Sequence, residues 1–278
     1  MQTKKVFYYL AVLAVLFTAC NDLKIKKEVF RGYAQKGPFI VGSSVTISEL
    51  NANFDQTGRV YSTTISDNAG NFEQRNIELV SNYVELKVDG YFYNEVIGSA
   101  GSDGLLTLYA LVDIADVTSA NVNVLTHLEK PRVEYLLKQG YSFSDAKQQA
   151  QREVLAIFGF NPPENSSETL NLVDDAKLLA VSCILQGIYV VQGHLQERMA
   201  SISADIKTDG ILNNMALGAK LMDNAILLTS TDVYAVGEPT YMQHIRNHLE
   251  TRYAEMGIDV TIPDFESYIH AFIDSNLY

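Results

Sequence analysis

The chain has 278 residues, 33 of them Asp or Glu and 21 Lys or Arg, giving a formal net charge of −12, with 47% hydrophobic residues, two cysteines and no tryptophan. That apolar fraction supports a substantial core in one or two domains and excludes a disordered acidic polymer. The acidic balance argues against sequence-independent nucleic-acid binding, which neutralises phosphates with Lys and Arg, and two cysteines cannot build a disulfide scaffold or a four-cysteine zinc site.

Lys4 and Lys5 precede an apolar run from Val6 to Phe17, and small residues lead to Cys20, the charged, apolar and small-residue regions of an export signal. The run stops short of the roughly 20 apolar residues a membrane-spanning helix needs. Leu16-Phe17-Thr18-Ala19-Cys20 resembles a bacterial lipoprotein box, which implies that residues 1–19 are removed and that Cys20 is acylated. The expected location is the cell envelope, at the outer membrane, with residues 20–29 as a lipid-anchored tether. Without residues 1–19 the chain keeps 19 basic against 33 acidic residues, a formal charge of −14. Anionic head groups repel such a surface, so the membrane is reached through the covalent lipid on Cys20 rather than through a basic patch.

Residues 30–114 read as short strands separated by Gly, Asn and Asp signals. Val45 and Ile47 alternate with polar neighbours, and Val84, Leu86 and Val88 alternate with Tyr83, Glu85 and Lys87, placing one apolar face on each strand. Ser66 to Asn71 is a turn with Gly70 suited to positive φ, and Leu105 to Val112 is an apolar run expected to be covered on both faces or packed against a neighbouring domain. Gly42-Ser43-Ser44-Val45-Thr46-Ile47, Asp67 through Gly70 to Phe72, and Tyr83 to Val88 with Gly90-Tyr91 resemble the carboxypeptidase-regulatory-like, or transthyretin-like, β-sandwich. The resemblance implies a spacer, stabiliser or binding module with no catalytic residues. Alternation would send Tyr91 and Tyr93 to one face as a candidate carbohydrate-stacking surface, with cross-strand packing as the alternative use.

From residue 115 to 278 the periodicity becomes helical. Val122, Leu125, Leu128, Val133 and Leu136 open it, with Pro131 expected to kink or break the helix. Ser142 is a candidate N-cap with Asp145 three residues on, in a helix that stops at Gly159. Further helices are expected at 174–191, 195–206, 211–228, 241–256 and 265–276, the last capped by Thr261. The fold class is therefore α+β in two domains, a small antiparallel β-sandwich followed by an irregular helical bundle. Lys36-Gly37-Pro38-Phe39-Ile40, Asn121 to Thr126, Ser142 to Lys147 and Val260 to Phe265 resemble blocks of uncharacterised Bacteroidota surface lipoproteins, which implies the same two-part layout and no reaction.

No nucleophile elbow, phosphate loop or dinucleotide fingerprint is present. His244 and His248 lie at i and i+4, but Ile245 stands where the zinc-protease motif needs Glu, so the pair reads as a solvated helix face. Cys183 sits among Val181, Ile184 and Leu185 and reads as a small buried hydrophobe. Asp113 with Asp116 and Asp174 with Asp175 are carboxylate pairs available for glycoside hydrolysis only if a cleft brings them together. No catalytic residue, metal site or cofactor is expected. The functional expectation is an envelope binding or accessory module for an envelope protein or glycan, with loops 91–103 and 161–167 as contact sites. The alternative is an envelope hydrolase acting on polysaccharide or peptide.

Overall fold

The structure, a computed structural model, describes residues 24–278 apart from 102, 103, 163, 190, 192, 233–236 and 238. The expected signal segment and Cys20 lie outside the described residues.

The described residues of the first half hold nine strands: β1 (Ile25–Gln35), β2 (Ser44–Leu50), β3 (Gln56–Thr64), β4 (Asn71–Leu79), β5 (Tyr83–Gly90), β6 (Tyr93–Asn94), β7 (Ser99–Ala100), β8 (Leu106–Asp113) and β9 (Val122–Asn123). A four-stranded antiparallel sheet has the order β3-β2-β5-β8, a three-stranded sheet has the order β4-β1-β9, and β6 and β7 form a small hairpin. Val45, Ile47, Val84, Leu86 and Val88, the alternating positions of β2 and β5, are fully buried. They share one apolar cluster with Phe30, Phe72 and Ile77 of the three-stranded sheet. The period-2 pattern thus places the apolar faces of both sheets in a common interior.

The turn before β4 forms as its residues dictate. Asp67 accepts from the backbone N–H of Ala69 and Asn71 and from the Asn71 side chain, and Gly70 has φ +85° with no room for a Cβ against the Ala34 carbonyl. β8 is covered on both sides from Leu106 onward, while Leu105 before it is 61% exposed. Leu108, Ala110 and Val112 join the main core, while Leu111 packs in a second cluster with Val133, Leu136, Ala146 and Ala150 of the helices.

β1 begins earlier than the tether boundary at residue 29. Ile25 already pairs with Leu79, and Lys26 lies opposite Glu78. Opposite charges facing each other across the strands support a pairing that a lysine-rich stretch alone does not advertise. Residues 25–29 are therefore sheet.

Seven α-helices follow among the described residues: α1 (Val124–Lys138), α2 (Phe143–Ala156), α3 (Ala176–Gln186), α4 (His194–Ile206), α5 (Met215–Thr229), α6 (Tyr241–Ala254) and α7 (Glu266–Asp274). α1 runs through Pro131 as one element instead of breaking there. Ser142 caps α2 by accepting from Asp145 N–H at 3.1 Å. α3 stops five residues before the expected end because Gly187 takes φ +66°, and Asn224 closes its last turn by donating to the Ile184 carbonyl. α7 is capped by Asp264, which accepts from Ser267 N–H, and not by Thr261. The main cluster extends from Phe30 of β1 to Phe272 of α7, so strands and helices share one core.

β9 leads directly into α1, and Asn123 is the joint. Its side-chain oxygen accepts from Leu125 and Thr126 N–H at 3.0 Å each, and its amide donates to the Ser167 carbonyl at 2.8 Å, all in the interior. Asn123→Ala is expected to lower stability by about 2 kcal/mol, the upper end for a cap because a buried carbonyl also loses its donor. Asn123→Asp should recover the cap part but not the Ser167 part, read as unfolding midpoints of the three proteins.

Candidate functional site

A cleft of about 770 Å³ lies where α1, α2, the ends of β5 and β8, Pro162 and residues 164–168 meet. α1 and α2 face each other across Val133, Leu136, Ala146 and Ala150, and this apolar contact brings three charged side chains together beside it. Lys147 of α2 is 3.0 Å from Glu129 of α1 and 2.9 Å from Glu168 on the 3₁₀ turn Ser167–Thr169. The Ser167 hydroxyl donates to Glu129, and Gln151 donates to Ser167 Oγ at 3.1 Å and to the Asn165 carbonyl at 2.9 Å. The segment that walls the cleft is thereby latched to both helices.

Burial pushes the Glu129 carboxyl above its ordinary range even though Lys147 and Ser167 favour its ionised form. Burial alone would strip the proton from Lys147, but its two carboxylates outweigh that and hold the ammonium above the usual lysine range. The floor of the cleft is therefore a locked ion triad. Above it, Ser144, Gln148 and Arg152 recur along the exposed side of α2, and Tyr83 and Phe143 present half-buried rings 5.0 Å apart.

The residues singled out from sequence fall elsewhere or take other work. Tyr91 is 44% exposed and Tyr93 only 8%, so the two do not share a surface. β5 ends at Gly90, which breaks the alternation before Tyr93. That ring instead packs under the Arg252 guanidinium at 5.0 Å, and its hydroxyl donates to the His248 carbonyl at 3.2 Å. The His244 and His248 rings stack at 5.7 Å, with His248 Nδ1 3.0 Å from the Glu95 carbonyl and His244 paired to Asp232 at 3.5 Å. This face of α6 thus packs on the Glu95–Gly98 turn rather than facing solvent. No metal-binding group of His, Cys, Asp or Glu occurs among the described residues.

Cys183 is fully buried, and burial raises its thiol well above the ordinary value. Asp175 caps α3 through Leu178 N–H, and Asp113 reaches the edge of the cleft without Asp116. Of the loops named from sequence, 161–167 contributes Pro162, Glu164, Ser166 and Ser167 to the cleft.

The chain matches no family model, no curated protein and no solved structure.

Glu129, Lys147 and Glu168 escaped the sequence reading. One signal was available: Glu129 sits four residues from both Leu125 and Val133 on the apolar stripe of α1, where a charge must find a partner.

Elsewhere on α1, His127 is 9% exposed, stacks on Tyr109 and is held down to about 4 from 6.5 by burial, then by Lys130. Its folded value lies below its unfolded one, so the folded state binds fewer protons between these values and stability falls as pH drops through them. A shift of that size corresponds to about 3 kcal/mol. The stability of the wild type relative to His127→Phe is expected to fall by that amount between pH 7 and pH 4, measured by urea unfolding.

Proposed function

We propose that this is an exported protein anchored by lipid on Cys20 in the cell envelope, at the outer membrane. In this reading a transthyretin-like sandwich, which begins at Ile25 and takes in β9, carries the helices that follow on a shared core, and the whole acts as a binding or accessory module without catalysis or cofactor. The layout is supported by a four-stranded antiparallel sheet and a three-stranded mixed sheet followed, among the described residues, by seven α-helices. The seat of binding is the α1–α2 cleft.

One observation carries the choice of binding over chemistry: Lys147 engages both carboxylates that converge on the cleft floor. A general acid or base must be free to exchange its proton with a substrate, and ions locked against each other in the interior are poor at it. The partner is an envelope protein or a glycan, and nucleic acid is disfavoured by the charge.

The hydrolase reading has its own support, because Glu129 is a raised carboxyl beside a second one in a cleft. Incubating the mature protein with envelope glycans and peptides separates the two. Retention without cleavage products by mass spectrometry is expected, whereas products that vanish in Glu129→Gln establish the hydrolase. Intact mass of protein from its native host tests the anchor through acyl chains on Cys20.

A further inference from the structure

We infer that the α1–α2 cleft takes an uncharged carbohydrate, an inference that rests on this cleft being a binding seat. Its size, about 770 Å³, falls within the roughly 300–1,000 Å³ of small-molecule sites. Charge narrows the ligand first. Asp113, Glu129, Glu164 and Glu168 face Lys147 and Arg152 around the cleft, a formal excess of two negative charges in a chain that is already acidic. Lys147 is already consumed by its two carboxylates. A phosphate, nucleotide or uronate would meet repulsion with a single exposed guanidinium to offset it.

The remaining lining narrows it further. Ser144, Gln148 and Arg152 follow one another at intervals of four residues, so α2 presents a hydroxyl, an amide and a guanidinium in one exposed row. Ser166 adds a hydroxyl from the loop. Such a row suits a ligand whose hydroxyls both donate and accept at regular spacing. The Tyr83 and Phe143 rings, tilted by 39°, supply an apolar surface for the C–H face of a pyranose. A peptide fits less well. The lining offers side chains rather than an unpaired strand edge, and its apolar members are two rings and Pro162 without a pocket for an aliphatic side chain.

The test titrates the protein calorimetrically with hits from a glycan array holding neutral and acidic sugars, with digalacturonate and tetralysine as charged probes. A neutral oligosaccharide is expected to bind, and the double variant Ser144→Ala/Gln148→Ala to weaken it about tenfold. Both residues are exposed, so an unchanged melting temperature should accompany the loss. Three results overturn the inference: no neutral sugar on the array, tighter binding of digalacturonate than of any neutral sugar, or unchanged affinity in the double variant. Tetralysine binding lost in the double variant, with no sugar bound, rejects the carbohydrate while leaving the binding seat. A neutral sugar that is bound and then cleaved keeps the carbohydrate and rejects the binding-only reading.

Discussion

Lys147→Met is expected to cost about 3–5 kcal/mol of folding stability, because it removes the cation that pairs with both Glu129 and Glu168 in the floor of the cleft. Glu129 is 1% exposed and cannot turn to water when its partner goes. The loss should also depend on pH. With the ammonium gone, burial of the Glu129 carboxyl is no longer offset by Lys147, and this group holds its proton more tightly in the folded state than in the unfolded one. A group whose folded value lies above its unfolded value destabilises increasingly as pH rises between the two, so the penalty is expected to be largest near neutrality and to shrink toward pH 4. Urea unfolding of wild type and variant at both pH values measures it. A penalty that stays constant with pH would mean that Glu129 does not sense the lysine.

The second large effect is expected at Lys36 and Glu95. Both side chains are fully buried, 2.6 Å apart, with Ser182 Oγ 2.8 Å from the same carboxylate oxygen. Lys36 follows β1, Glu95 lies in the turn of the β6–β7 hairpin and Ser182 is in α3, so this pair ties strands to helices through charge. Lys36→Met alone strands a carboxylate in the interior and should cost about 3–5 kcal/mol, whereas Lys36→Met/Glu95→Met replaces the pair with apolar groups and should recover most of that loss. A double-mutant cycle by denaturant unfolding reads the coupling, and a double variant no more stable than Lys36→Met would show that packing rather than charge governs the site.

Much of the strand region is legible because its determinants are local. Val84, Leu86 and Val88 need only a period of two, and Ser142 needs only the N–H three residues ahead. The interior position of Cys183 follows from its apolar neighbours in the same way. The cleft floor is different in kind. Glu129, Lys147 and Glu168 are separated by 18 and 21 residues, and each becomes meaningful only when α1, α2 and the 3₁₀ turn converge. Tyr93 shows a third case: its periodicity is real as far as Gly90, but the strand ends there and the ring enters a new environment set by Arg252, more than 150 residues away. Likewise, the start of β1 depends on the complementary charge of β4, a strand that cannot be assigned as its partner from local pattern.

That early start of β1 shortens the leash. From Cys20 to Ile25 there are five peptide steps, which fully extended span only about 17 Å. Under the proposed lipidation the first sheet cannot wander from the bilayer by more than a fraction of its own molecular diameter. The protein would then patrol a thin layer in two dimensions, and a partner fixed in the same membrane or wall would be met at a high local concentration even if its intrinsic affinity were weak.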